Sequence, residues 1–230
     1  MVKVIKPEYN HEKGIELIHQ EAELLDQLNH RNIIKLKHLI QLDNKLYLGM
    51  ELARGGSLKS YLASSKTNRI SDINASKIMK GILSAVSYMH ENGIIHRDLK
   101  TANILFAEPH DLSSIKIIDF GFSEVKLHSK ASYDDHVGTL LYMAPELAQQ
   151  HDYTKSVDIW AVGIIMHYVM TGGKHPFYAA NIDNSESFKK KLIAIKQINP
   201  DKSFSWLAQN MFRKLTTVQA HMRYTAKDAL

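Results

Sequence analysis

Apolar positions recur three and four apart between residues 11 and 28. Ile15, Leu17, Ile18, Ala22, Leu24, Leu25 and Leu28 form one stripe, which predicts a helix. Glu21 lies on the same stripe. A carboxylate on an apolar face needs a partner or is costly, and breaks in local pattern are expected at functional sites. The alternative is that Glu21 sits at the edge of the stripe and reaches water. Before this helix, Val2–Ile5 is a short β-prone run closed by Pro7. After it, residues 33–40 and 45–52 predict two strands joined by a turn at Asp43-Asn44.

Arg54-Gly55-Gly56-Ser57 then predicts a flexible joint between a small β-rich part and a larger helical part. Ser71 or Asp72 can cap a long helix with Ile78, Ile82, Val86 and Met89 on its stripe, and Gly93 can end it. Residues 103–106 and 115–120 predict a short hairpin. Residues 121–142 show little periodicity and predict a long surface loop, a class of segment that is usually functional or mobile. Residues 156–170 predict a strongly apolar helix central to the core, and the rest of the chain reads as helices with polar connectors.

Composition narrows the classes. Of 230 residues, 44% are apolar and 23% charged, which excludes disordered, collagen-like and coiled-coil chains. The net charge is +5, but the basic residues form no run, which argues against nucleic-acid binding. With no cysteine, disulfide scaffolds, Cys-based zinc sites and thiol catalysis are excluded. The longest apolar stretch, residues 159–166, is far short of the ~18 residues of a membrane span. The first residues lack the apolar core of a signal peptide. The expectation is an intracellular, cytoplasmic protein without membrane contact.

Candidate chemistry is concentrated in three short motifs. Residues 96–103 read His-Arg-Asp-Leu-Lys-Thr-Ala-Asn, residues 119–121 Asp-Phe-Gly, and residues 144–146 Ala-Pro-Glu. Their identity, order and spacing resemble the eukaryotic protein kinase family, and the resemblance runs from Lys3 to Leu230. It implies an α+β, bilobal fold: an incomplete small β-rich lobe (1–53) and a large, mainly helical lobe (54–230). It also implies an enzyme that moves the γ-phosphoryl group of ATP, with Mg²⁺, to Ser or Thr hydroxyls of protein substrates.

Within that resemblance, Asp119 and Asn103 match the Mg²⁺ ligands, both hard oxygen donors. Asp98 matches the base that orients the substrate hydroxyl; by itself it could be a turn-capping aspartate. Lys100 matches the lysine that neutralises the transferring group. Thr139 matches the threonine that bridges the catalytic Asp and Lys, which with Lys100 indicates the serine/threonine class. Lys3 matches the lysine on the α- and β-phosphates, and Glu21 its helix partner; Lys3 alone would read as a solvated terminal lysine. Met50 matches the back of the adenine pocket, Glu51 to Ala53 the hinge, and Leu105 belongs to the same ATP-binding set. Leu25, Leu36, His96 and Phe120 match a stack of side chains, which plain core packing would equally explain. Asp158 matches the buried helix residue that anchors the catalytic loop, and Arg223 the structural partner of Glu146.

Subgroup features resemble the calmodulin-dependent kinases most. Ser57, Ala102 and Tyr168 are neutral where several relatives carry acids, so no strong demand for upstream arginine is expected. Asp135 stands where many kinases are phosphorylated and could pair with Arg97, or could simply be solvated. Only two residues precede Lys3, so the Gly-rich loop of the family does not lie within this sequence. The expectation is a fragment or incomplete gene model of a longer kinase. The alternative is a weak or inactive kinase-like scaffold.

Overall fold

The computed structural model describes residues 2–5, 11–42, 45–64, 70–121, 123, 140–178 and 184–230, and within these the side chains of residues 19–42 and 47 onward. Thr139 and Asp135, with residues 122 and 124–139 of the loop predicted over 121–142, lie outside the described residues.

Strand β1 (Val2–Ile5), helix α1 (His11–Gln27), strand β2 (Leu36–Leu42) and strand β3 (Lys45–Met50) form the small lobe. The sheet is antiparallel in the order β1-β3-β2, and Lys3 pairs with Leu48. The apolar stripe of α1 is buried where described: Ala22, Leu24 and Leu25 join the core, as does Leu28 just past the helix end. Glu21 is buried with them, so the stripe-edge reading is corrected.

Strand β2 begins at Leu36, not at residue 33 as the apolar run suggested. Ile33 and Ile34 are buried and serve the large lobe instead. Ile34 N–H donates to Ile117 O at 2.9 Å, and Ile117 N–H donates to Asn32 O at 2.8 Å. The side-chain amide of Asn32 adds a bond to Ile115 O at 2.9 Å.

The Arg54-Gly55-Gly56-Ser57 joint is also corrected, because it is pinned. Arg54 N–H donates to Ala107 O, Gly55 N–H to Phe106 O, and Phe106 N–H returns to Gly56 O. A Cβ on Gly55 would stand 2.5 Å from Phe106 Cβ and 2.7 Å from Glu108 O. Glycine is there for close approach, and its neighbour Gly56 for its φ of +76°.

The large lobe continues with α2 (Leu58–Ser64), α3 (Asp72–Glu91), the hairpin β4 (Ile104–Phe106) and β5 (Ile115–Ile117), then α4 (Pro145–Ala148), α5 (Ser156–Thr171), α6 (Ser185–Ala194) and α7 (Trp206–Leu215). Ser71 Oγ caps α3 by accepting from Asn74 N–H, a type of bond worth about 1 kcal/mol. Gly93, at φ +73°, follows the helix end. Every residue of α5 except Ser156 and Tyr168 is buried, as its largely apolar sequence requires, and α3 packs along it. No helix among the described residues is long and apolar enough to cross a membrane.

Candidate active site

The segment 96–103 follows α3 and ends in a 3-10 turn, Thr101–Asn103, that leads into β4. Its shape is set from below by Asp158, in the first turn of α5. Asp158 is fully buried and accepts three hydrogen bonds, each at 2.9 Å: from His90 Nε2, from His96 N–H and from Arg97 N–H. Burial by itself would push this carboxyl up. The bond and charge of His90, with the contribution of His96, outweigh burial and hold it below the usual carboxylate range. Asp158 therefore remains an anion whose acceptor oxygens fix the start of the loop. Arg97 takes a φ of 66°, uncommon for a residue with a Cβ, and its N–H bond to Asp158 helps hold it there.

His96 is fully buried. Asp98 N–H donates to its Nδ1 at 3.3 Å, so the ring proton lies on Nε2, which donates to Ile118 O at 3.2 Å. The imidazole thus links the 96–103 segment to the residues just before Asp119. Its ring stands 4.9 Å from that of Phe120. Leu25 and Leu36 belong to the same apolar cluster as Phe120, Leu36 at its margin.

Asp98 is 4% exposed. Lys100 Nζ donates to its Oδ2 at 2.7 Å, and Asn103 Nδ2 donates to the same oxygen at 2.9 Å and to Asp98 O at 3.0 Å. Asp98 Oδ1 is buried with no hydrogen-bond partner among the described residues. An orphaned, buried carboxylate oxygen is costly, so its presence marks a place where a donor is meant to arrive. Because the amide nitrogen of Asn103 faces Asp98, its oxygen is left for another ligand.

Asp119 has a φ of 69°, the second left-handed non-glycine residue of the site. Next to it, Phe120 N–H donates to Glu21 Oε1 at 3.2 Å. A Cβ on Gly121 would stand 3.4 Å from Glu21 Oε2 and 3.6 Å from Asp119 Oδ1. Glu21 therefore comes against the 119–121 motif, across 99 residues of sequence. The side chain of Lys3 lies outside those described; its strand runs beside β3.

At the lobe junction Met50 is buried at the end of β3, and Leu105 is half-buried in β4. The Glu51 carboxylate accepts from Lys35 N–H at 2.9 Å and pairs with Lys116 Nζ at 2.6 Å, so its side chain stitches the junction. The N–H and C=O of Ala53 bond to no other described group. Glu146 and Arg223 form the expected pair, bidentate at 2.8 and 3.2 Å, with Arg223 also donating to Ser156 O at 2.7 Å and lying 5.2 Å from the Trp160 ring.

Two partners escaped the sequence. Tyr153 accepts from Arg97 Nη1 at 2.7 Å, where the sequence offered only Asp135. The Tyr142 and Thr101 hydroxyls bond at 2.8 Å. Burial holds the Tyr142 phenol above its ordinary value, against the Thr101 bond that favours its ionised form. Neither contact has a local sequence signal, since the partners are 56 and 41 residues apart.

Comparison with known proteins gives this geometry its context. Residues 1–230 match the protein kinase domain family. The chain is 33% identical over 238 residues to serine/threonine-protein kinase 33 of Bos taurus, covering all of this chain and 48% of that protein. It is 34% identical over 216 residues to calcium/calmodulin-dependent protein kinase type 1B of Homo sapiens, covering 93% of this chain and 61% of that protein. It is 36% identical over 234 residues to calcium-dependent protein kinase 4 of Plasmodium falciparum, covering all of this chain and 43% of that protein. The chain thus spans about half the length of these relatives.

Proposed function

This chain belongs to the protein kinase domain family, and on that premise we propose that it transfers the γ-phosphoryl group of ATP to Ser or Thr hydroxyls of proteins. The observation that carries the reading is the asymmetry of Asp98. One carboxylate oxygen is held by Lys100 and Asn103, and the other is buried and unpartnered. A hydroxyl that reached Oδ1 would be oriented by its own hydrogen bond, and the same oxygen would receive its proton as the new O–P bond forms and the bond from the γ-phosphorus to the β–γ bridging oxygen breaks, releasing ADP. Lys100, at 2.7 Å from Oδ2, brings a positive charge to the place where phosphoryl charge develops. Thr139 would bridge the two.

The donor set suits Mg²⁺, which prefers a few hard oxygens and completes its shell with phosphates. The Asn103 amide oxygen and the Asp119 carboxylate would hold it. When bound it supplies neutralisation of phosphate charge. Met50, Leu105 and the backbone of Glu51 to Ala53 would seat the adenine, and the peptide groups of Ala53, which bond to no other described group, support that role. Lys3 would hold the α- and β-phosphates, with Glu21 fixing both it and the 119–121 segment. Asp135, by pairing with Arg97, would order the loop that carries it without phosphorylation.

The test is phosphate incorporation from labelled ATP with Mg²⁺ into a Ser/Thr protein substrate. Wild type is expected to transfer and Asp98→Asn to lose about 10²–10⁴-fold in rate. Equal incorporation by the two would sink the assignment.

A further inference from the structure

A cleft of about 550 Å³ opens beside the 96–103 segment. Leu62, Leu141, Tyr142 and Tyr168 give it apolar walls, and Lys59 and Lys100 are the charged side chains among its described lining residues. It is continuous with the site above, because Lys100 both lines it and bonds Asp98. We propose that this cleft selects protein substrates carrying an acidic side chain close to the phosphorylated hydroxyl. The proposal rests on the transfer reading and names its substrate class.

The charge pattern carries the argument. Among the described residues no carboxylate lines the cleft. Lys59 is exposed on α2 and pairs with no carboxylate among the described residues. Tyr142 and Tyr168, 5.5 Å apart, are both held in the neutral phenol form by burial. An arginine side chain entering here would meet the Lys59 ammonium and, among the described lining residues, no carboxylate to accept its guanidinium, while Lys100 is already paired with Asp98. A glutamate side chain would lay its methylenes against Leu62 and Leu141 and present its carboxylate to Lys59. The volume suits one side chain with its adjoining backbone. The polypeptide that brings a hydroxyl to Asp98 Oδ1 therefore passes a pocket with apolar walls and the Lys59 charge at its side.

The experiment measures binding and transfer separately on the full chain. Two fluorescent peptides share a central serine; one flanks it with glutamates, the other with arginines. In fluorescence anisotropy at low salt, wild type is expected to bind the acidic peptide at least about fivefold more tightly, and Lys59→Glu to remove about three- to tenfold of that affinity. Lys202→Glu, an exposed charge reversal outside the cleft, is expected to leave the order unchanged. Tighter binding of the arginine peptide overturns the proposal, as does a Lys59→Glu effect no larger than that of Lys202→Glu. Phosphate incorporation into the same peptides then reads the transfer activity. Its absence from both peptides counts against the transfer reading, whereas the binding order decides the selection.

Discussion

Glu21, on the helix of the small lobe, accepts the backbone N–H of Phe120, in the middle of the 119–121 motif, at 3.2 Å. The bond makes the position of that helix and the conformation of the motif one problem. Glu21→Ala leaves the Phe120 N–H buried and unsatisfied, and is expected to cost about 1–3 kcal/mol of stability together with most phosphate transfer. Glu21→Gln keeps an acceptor oxygen but loses the charge. It should retain stability and still lose transfer if pairing with Lys3 matters. Thermal melts and incorporation assays on the two variants separate these contributions.

Lys100→Met removes the cation from Asp98 Oδ2 while roughly preserving side-chain length. Transfer is expected to fall about 10²-fold, a size typical of losing one electrostatic contact to developing charge. Steady-state kinetics check this, with the loss expected in kcat. A change confined to the KM for ATP would place Lys100 in nucleotide binding instead.

Asp158→Asn is the stability counterpart. One of its three donors would then face an amide N–H₂ in a buried place, for an expected loss of about 3 kcal/mol. The pH dependence has a defined sign. The folded-state value of Asp158 is depressed, so its contribution is complete above the ordinary carboxylate value of 3.8 and fades as pH falls through the lowered one. Urea titrations should show a constant gap between wild type and variant above that value, narrowing only in stronger acid.

Gly55 and Gly56 are adjacent and are expected to respond differently. Gly55→Ala drives a Cβ into Phe106 and Glu108, and is expected to cost about 1–3 kcal/mol through overpacking, with the junction displaced. Gly56→Ala meets no atom within 4 Å and is expected to cost about 1 kcal/mol, through its φ of +76° alone. Denaturant midpoints distinguish the two. Comparable losses would mean that the close approach at Gly55 relaxes without cost.

The chemistry was legible because it is nearly contiguous. Asp98, Lys100 and Asn103 fall within six residues, so one short loop brings them together, and their types alone specify hard donors and a cation. Glu21 was legible as a breach of the helical stripe, although the bond to Phe120 that explains it spans 99 residues. Tyr153 and Tyr142 gave no signal, since an aromatic among apolar neighbours reads as core. Ile33 and Ile34 misled because β-branched residues suit any extended pairing, and here the partner is β5 and not the neighbouring strand. Gly55 and Gly56 misled because glycine marks both freedom and close contact, and only the surroundings tell which.

The small lobe is tied to the β4–β5 hairpin at two places, at Asn32–Lys35, where the chain touches the large lobe and returns, and at Glu51–Ser57, where it passes into it. Lys35 and Glu51 also bond to each other, Glu51 N–H donating to Lys35 O at 3.0 Å. Two fixed points define a line. The small lobe cannot slide over the large one or spin above it without breaking these bonds. What remains is rotation about that line, one degree of freedom. Because Glu21 rides on one side of the axle and Phe120 is fixed on the other, the angle of that rotation is also the length of their hydrogen bond.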